Sequence, residues 1–138
     1  MSATQKLFVA AALALLVGIA YAPARHGLFL NWDDNTLVLD NPHVHELTWD
    51  TVAWAFTNSH AGNYTPVAWV SHALDSAVYG PDPWGHHLTS IVLHVISTVL
   101  LFLVLGEATG APWASAGVAA LFGLHPLHVE SVAWIAER

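Results

Sequence analysis

The sequence contains no cysteine and very little positive charge. Without cysteine the chain cannot form disulfides, thiolate metal sites or a cysteine nucleophile. Its 138 residues include only 3 Lys and Arg in total, and none of these lies between His26 and Glu137. Because the net charge is -7, the chain is poorly suited to a phosphate backbone, which excludes nucleic acid as a main partner.

Charged residues of both signs are scarce, while apolar residues are abundant. Only 9% of the residues are charged and 55% are hydrophobic, whereas soluble domains have about 25% charged residues. Three apolar segments stand out, at 7–24, 88–105 and 111–124. Crossing a bilayer takes roughly 20 apolar residues. We therefore predict an all-α integral membrane protein with about three transmembrane helices, of which the third is short.

The first segment has a second interpretation. Lys6 and the run Ala20-Tyr21-Ala22 resemble the n-region and cleavage site of a signal peptide. The other evidence favours a membrane protein, because all 7 tryptophans lie outside the first two segments, as interface anchors do. Lys6 favours a cytoplasmic N-terminus, whereas Arg25 opposes it. Loop 25–85 is acidic and has no Lys or Arg after Arg25, so we expect it outside the cytoplasm. In a bacterium the membrane would be the inner (cytoplasmic) one.

Loop 25–85 contains signals for two short helices. Thr48 can cap a helix that runs through Phe56, and Thr65 can cap another with Pro66 in its first turn. In the second helix an apolar stripe recurs at helical spacing, whereas His72 and Asp75 lie off it. We predict two amphipathic helices that lie along the membrane surface.

Two adjacent carboxylates, Asp33 and Asp34, follow Trp32 near the exit of the first apolar segment. Both cannot be desolvated cheaply, so one would take up a proton unless a cation or hydrogen bonds keep it ionised. Such a pair suits general-base catalysis or metal coordination. A solvated turn at the end of a helix explains the same residues equally well.

Other polar residues lie in or beside the second and third apolar segments. The stripe His87, Ser90, His94 and Ser97 is predicted to face the bundle interior, where interhelical hydrogen bonds would explain the serines. A second group, at the end of the third segment, suggests a water-filled cavity and consists of His125, His128 and Glu130. Its metal signal is weak, because "HPLHVE" is neither HExxH nor its inverse.

Four motifs together resemble one family. They are "NWDDNTLVLDNPHV", "HAGNYTPVAWVSHALD", "GHHLTSIVLHVISTVLLFLVL" and "ALFGLHPLHVESVAWIAER". In this order they resemble the N-terminal membrane region of tetratricopeptide-repeat proteins related to protein O-mannosyltransferases, within the GT-C glycosyltransferase superfamily. The resemblance implies transfer of a sugar from a polyprenyl phosphate to a hydroxyl of a protein or glycan outside the cytoplasm.

The resemblance also implies roles for individual residues. Asp33 matches the general base and Asp34 its acidic neighbour. Residues expected to bind the donor or substrate are His60, His87, His125, His128, Glu130 and Arg138, with Arg138 as a candidate phosphate contact. No organic cofactor is implied, and the need for a divalent metal stays open.

Members of this family continue through more spans into helical repeats, and no repeat is visible in this sequence. We therefore expect a fragment of a larger enzyme that is inactive by itself. Two alternatives remain on the sequence alone. The 10 histidines permit a haem- or metal-binding membrane protein, and the acidic loop permits a non-catalytic membrane module that contacts a partner.

Overall fold

The computed structural model describes residues 1–138 and contains helices and turns but no β-strand. The six α-helices are α1 Ala3–Tyr21, α2 Trp49–Thr57, α3 Pro66–Tyr79, α4 Pro83–Thr109, α5 Pro112–Leu124 and α6 Val129–Ala133. Short 3-10 turns and one π-helical turn, Asn35–Leu39, connect them. The all-α prediction is confirmed.

Two helices, α1 and α4, are long and apolar enough to cross a membrane. Only 17% of the most apolar window of the first and 22% of that of the second is buried, so their apolar side chains face outward, as lipid-facing side chains do. Helix α4 begins at Pro83, earlier than the predicted span, because Asp82 caps it by accepting a hydrogen bond from the Trp84 N–H.

The third predicted span is not confirmed. Helix α5 has 13 residues, which at 1.5 Å per residue gives a length of about 20 Å. The hydrocarbon core of a bilayer is about 30 Å thick. Helix α5 packs against α4 and α1. Helix α1 in turn supplies the buried residues Leu13, Val17 and Tyr21 to the bundle, which favours a structural helix over a signal peptide.

The polar stripe of α4 follows the prediction except at its end. His87, Ser90 and His94 are buried, but Ser97 is exposed and Thr98 is buried in its place. At about 100° per residue, Ser97 is rotated by roughly 80° from His87, whereas Thr98 is rotated by only about 20°. The prediction for Ser97 was wrong because its spacing drifts off the buried face.

Helices α1, α4 and α5 approach closely at Gly123. A Cβ atom there would lie 2.6 Å from Val17 Cγ2 and 2.9 Å from Thr98 Cγ2. We expect Gly123→Ala to destabilise the bundle by about 1–3 kcal/mol, because the added methyl overpacks this contact. Gly117→Ala on the same helix is the matched control, since nothing lies within 4 Å of its Cβ position. Thermal unfolding in lipid nanodiscs measures both, and equal midpoints would contradict the prediction.

The loop folds against the C-terminal segment. Both predicted helices form, and Thr48 Oγ1 caps the first by accepting a hydrogen bond from the Thr51 N–H at 3.1 Å. The predicted cap by Thr65 was wrong, because its side chain forms no capping hydrogen bond; Pro66 in the first turn and the contact of the Tyr64 and Trp69 rings mark this helix start instead. A small core joins α2, α3 and the chain end through Val38, Val44, Ala55, Trp69, Ala73 and Ile135. Of the predicted apolar stripe on α3, Val67, Leu74 and Val78 face outward, whereas Val70 packs against this core. His72 and Asp75 are buried.

Candidate functional site

The acidic pair lies directly before the π-helical turn Asn35–Leu39. Asp34 is completely buried. Its Oδ2 accepts a hydrogen bond from the Leu30 N–H at 2.7 Å, and its Oδ1 accepts one from the Ala136 N–H at 2.8 Å. Two backbone donors to a carboxylate form charge-assisted bonds. Asp34 therefore fixes the loop to the C-terminal segment.

Asp33 has a different environment. Its side chain is half-buried, and no ion pair or side-chain hydrogen bond within the protein involves its carboxylate. The neighbouring Trp32 is exposed, and its ring lies 6.0 Å from that of Trp134. The Asp34 carboxylate is therefore hydrogen-bonded within the protein, whereas the Asp33 carboxylate is free to bind a ligand.

A second polar cluster surrounds Arg138. Its Nη1 donates to Asp75 Oδ2 at 2.6 Å and to Ser71 Oγ at 2.8 Å. Its Nη2 donates to the His86 carbonyl at 2.8 Å, and its Nε donates to Ser90 Oγ at 3.1 Å. A single N–H of Nη2 is left without a partner, so the guanidinium holds α3, α4 and the chain end together.

The ionisation of this cluster follows from its burial. Burial lowers the pKa of Arg138, and the Asp75 carboxylate partly restores it, so the guanidinium stays charged at neutral pH. Asp75 also accepts a hydrogen bond from Thr89 Oγ1 at 2.6 Å. For His72, burial lowers the pKa well below its usual value, and the charges of Arg138 and His86 lower it further.

The same cluster brings together three potential metal ligands, His72, Asp75 and His86, with ligand atoms within 4.8 Å of one another. The fit to a divalent cation is poor, because the Arg138 guanidinium already binds the Asp75 carboxylate. A metal would add two positive charges beside a buried cation. We derive no metal chemistry from these residues.

The environment of His72 predicts a pH-dependent stability. Because the folded protein keeps the pKa of His72 below the value of 6.5 that an exposed histidine has, the unfolded chain binds more protons below that pH. Stability is therefore complete above about pH 6.5 and falls as the pH decreases, by at most about 1.4 kcal/mol per pH unit for one proton.

Thermal midpoints measured between pH 7.5 and 5 in nanodiscs test this expectation. The decrease should be smaller in His72→Gln, which cannot take up a proton. His26→Gln, an exposed substitution, is the control and should retain the full decrease. Identical pH profiles of wild type and His72→Gln would contradict the assignment.

The remaining predicted site residues are dispersed. His60 Nε2 lies 2.9 Å from the Thr36 carbonyl oxygen, so this ring stabilises the turn that follows the acid pair. His125 accepts the Leu127 N–H at 3.2 Å and caps the turn after α5. His128 packs on Phe122 and His94. Glu130 is exposed, and no hydrogen bond or ring contact joins His125, His128 or Glu130 to the acid pair.

His87 is the predicted residue that does lie beside the pair. Its ring is buried against Gly27, three residues before Leu30, whose N–H binds Asp34. A separate cavity of about 300 Å³ lies between the loop and the start of α4, lined by Phe29, Val38, His45, Ser76, Pro81 and His86 among others. Neither Asp33 nor Asp34 lines it.

The roles of Asp75, Thr89 and Ser71 as partners in the Arg138 cluster were not predicted. A signal for Asp75 was present, since it lies with His72 off the apolar stripe of α3. If that stripe faces lipid, the opposite polar face must point into the protein. Arg138, expected at the donor phosphate, instead has its side chain almost entirely engaged by these residues and Ser90.

The chain was compared with known proteins. It is 32% identical to protein O-mannosyl-transferase TMTC1 of Mus musculus over 147 residues, 96% of this chain and 15% of that protein. It is 30% identical to human TMTC1 over 94% of this chain and 16% of that protein. It is 35% identical to Tmtc2 of Drosophila melanogaster over 59% of this chain and 9% of that protein.

These relatives are far longer than the region they share with this chain, which covers 9–16% of their length. No family model and no solved structure matches the chain. The similarity to TMTC1 nevertheless extends over nearly all of this chain's residues. The chain is thus related to the protein O-mannosyl-transferases, and the resemblance inferred from its motifs is confirmed.

Proposed function

We propose that this chain supplies the acid-pair site of a membrane glycosyltransferase that moves mannose from a polyprenyl phosphate to a hydroxyl of a protein acceptor. The observation that carries the proposal is the asymmetry of the pair. Asp34 is bound by two backbone N–H groups, and Asp33 beside it has no partner. A fixed neighbour with a free carboxylate is the arrangement that general-base catalysis needs.

In this proposal Asp33 accepts the proton of the acceptor hydroxyl as its oxygen attacks the anomeric carbon. The bond between that carbon and the phosphate oxygen breaks, and the polyprenyl phosphate leaves with the electron pair. Asp34 does not exchange the proton, since both of its oxygens accept backbone hydrogen bonds. Its role is to hold the turn that presents Asp33.

The location of the site suits a donor that resides in lipid and an acceptor that resides in water. The pair follows α1, one of the two helices long enough to span. The outward apolar stripe of α3 and the exposed side chains of Trp32 and Trp49 supply a surface for lipid head groups. We place this surface on the extracytoplasmic leaflet and the N-terminus in the cytoplasm.

The donor phosphate is not assigned to Arg138, whose guanidinium is occupied by Asp75, Ser71, Ser90 and the His86 carbonyl. His125, His128 and Glu130 follow α5, and none of them contacts the acid pair. We infer that any contact of these three residues with the donor is made outside the immediate surroundings of the acid pair.

A transfer assay tests the proposal. The protein is expressed from its whole gene, with any residues that precede or follow this chain, and reconstituted in nanodiscs. It is then given radiolabelled polyprenyl-phosphate mannose and a serine- and threonine-rich peptide. Label is expected in the peptide, in bonds that β-elimination releases. GDP-mannose without the lipid donor should give none. Transfer from GDP-mannose, or no transfer from the lipid-linked donor, would contradict the proposal.

A further inference from the structure

Two side chains beside the acid pair contain buried nitrogen atoms with no hydrogen-bond partner. They are His87, with Nδ1 and Nε2 both unpaired, and Trp134, with Nε1 unpaired, and no other buried side-chain nitrogen or oxygen lacks a partner. An unpaired buried polar group destabilises the folded protein, because it loses its hydrogen bonds to water and gains none in return. Native proteins retain few such groups, so two of them at one place require an explanation.

Both side chains lie near segments that hold the acid pair. His87 reaches this region from α4, and its ring lies against Gly27, three residues before Leu30, whose N–H binds Asp34. Trp134 reaches it from the C-terminal segment, two residues before Ala136, whose N–H binds Asp34. The Trp134 ring also contacts that of Trp32, which precedes Asp33.

The packing around His87 shows that its ring is held in place. A Cβ atom at Gly27 would lie 2.8 Å from His87 Nε2 and 3.1 Å from the Ala24 carbonyl oxygen. Glycine is therefore required for the chain to pass this close to the imidazole. The Gly27 backbone lies against the ring on one side and interacts with it weakly, but neither ring nitrogen has a hydrogen-bond partner of good geometry.

The unpaired atoms match the chemistry of a sugar. A neutral imidazole offers one donor and one acceptor, and an indole offers one donor. A sugar hydroxyl donates and accepts, so it can bind either group. The aromatic rings of Trp32 and Trp134 add apolar surface for the C–H face of a sugar ring.

We propose that His87 and Trp134 bind hydroxyl groups of the transferred hexose and so hold its anomeric carbon beside Asp33. The inference rests on the proposed function and adds the residues that would recognise the sugar. The exposed Trp32 ring contacts that of Trp134, and its displacement would open a path to the Trp134 indole N–H. The unpaired nitrogens obtain their partners when the sugar is bound.

His87→Leu separates this role from a structural one. Leucine removes both unpaired nitrogens, so the thermal midpoint should stay the same or rise. If the nitrogens bind the sugar, kcat/KM for polyprenyl-phosphate mannose should fall at least about tenfold. The increase of the thermal midpoint that this donor produces in the wild type should be lost as well.

Trp134→Phe is the second variant, because it removes the indole N–H and retains an aromatic ring. Its kcat/KM is expected to fall in the same way, which keeps the test decisive if His87→Leu does not fold. Trp84→Phe, at a half-exposed indole near Tyr79, is the matched control and should behave as the wild type.

Wild-type kcat/KM and donor stabilisation in both variants would overturn the inference and show that the unpaired atoms serve no ligand. Failure of the proposed function looks different. In that case the wild type itself shows neither transfer nor stabilisation by polyprenyl-phosphate mannose. The assignment of His87 and Trp134 to a sugar would then be wrong as well.

Discussion

Asp33→Asn is expected to lower mannosyl transfer by about 10²–10⁴-fold, the usual contribution of a general base. The amide cannot take the proton of the acceptor hydroxyl. Because the Asp33 carboxylate makes no ion pair or hydrogen bond within the protein, the thermal midpoint should not change. Transfer rates and thermal midpoints of the same nanodisc samples measure both expectations.

Asp34→Asn is the matched comparison, one residue away. Asparagine keeps one acceptor oxygen, but its NH₂ group would face one of the two backbone N–H donors from Leu30 and Ala136. We expect a loss of stability of about 1–3 kcal/mol, with a loss of transfer that follows from the displaced turn.

The two variants thus differ in stability, which distinguishes a base from a positioning residue. Equal transfer by Asp33→Asn and wild type would refute the role of Asp33. An Asp34→Asn protein of unchanged stability but no activity would exchange the roles of the two carboxylates. In either case the measured stability decides whether lost transfer reflects chemistry or folding.

The elements of the fold were largely readable from local patterns. Thr48, Pro66 and Gly80 mark helix ends through capping and backbone chemistry, which depend only on neighbouring residues. The start of α4 was placed too late, at Leu88, because hydropathy does not register the polar first turn that Asp82 caps. Hydropathy also led to the prediction that α5 spans the membrane, although its 13 residues are few for a membrane span.

The site was less predictable, since its contacts join distant parts of the chain. The bond between Asp34 and the Ala136 N–H spans 102 residues, and that between Asp75 and Arg138 spans 63. Spacing in a sequence carries no information on such pairings. The acid pair could be found by its residue types, but only tertiary structure shows which carboxylate is bound and that Arg138 is engaged by α3.

The ion pair of Asp75 and Arg138 is expected to be the most costly interaction to break. Arg138→Met should destabilise the protein by about 3–5 kcal/mol, because it leaves the Asp75 carboxylate buried without its cation. Both side chains are nearly inaccessible, at 3% and 6% relative exposure. Chemical denaturation in detergent micelles measures the change, and Arg25→Met, at an exposed arginine, is the control and should have little effect.

The double variant Asp75→Leu/Arg138→Met distinguishes the contribution of the ion pair to stability from that of the other contacts of these side chains. The double variant contains neither the carboxylate nor its cation, so no buried charge is left without a partner. It should therefore be more stable than Arg138→Met alone. If the double variant loses as much stability as Asp75→Leu and Arg138→Met added together, the two partners act independently. Because Arg138 also binds Ser71, Ser90 and the His86 carbonyl, stability should recover only in part. The residual loss then measures what the guanidinium contributes by joining α3 and α4 to the segment that holds Asp34.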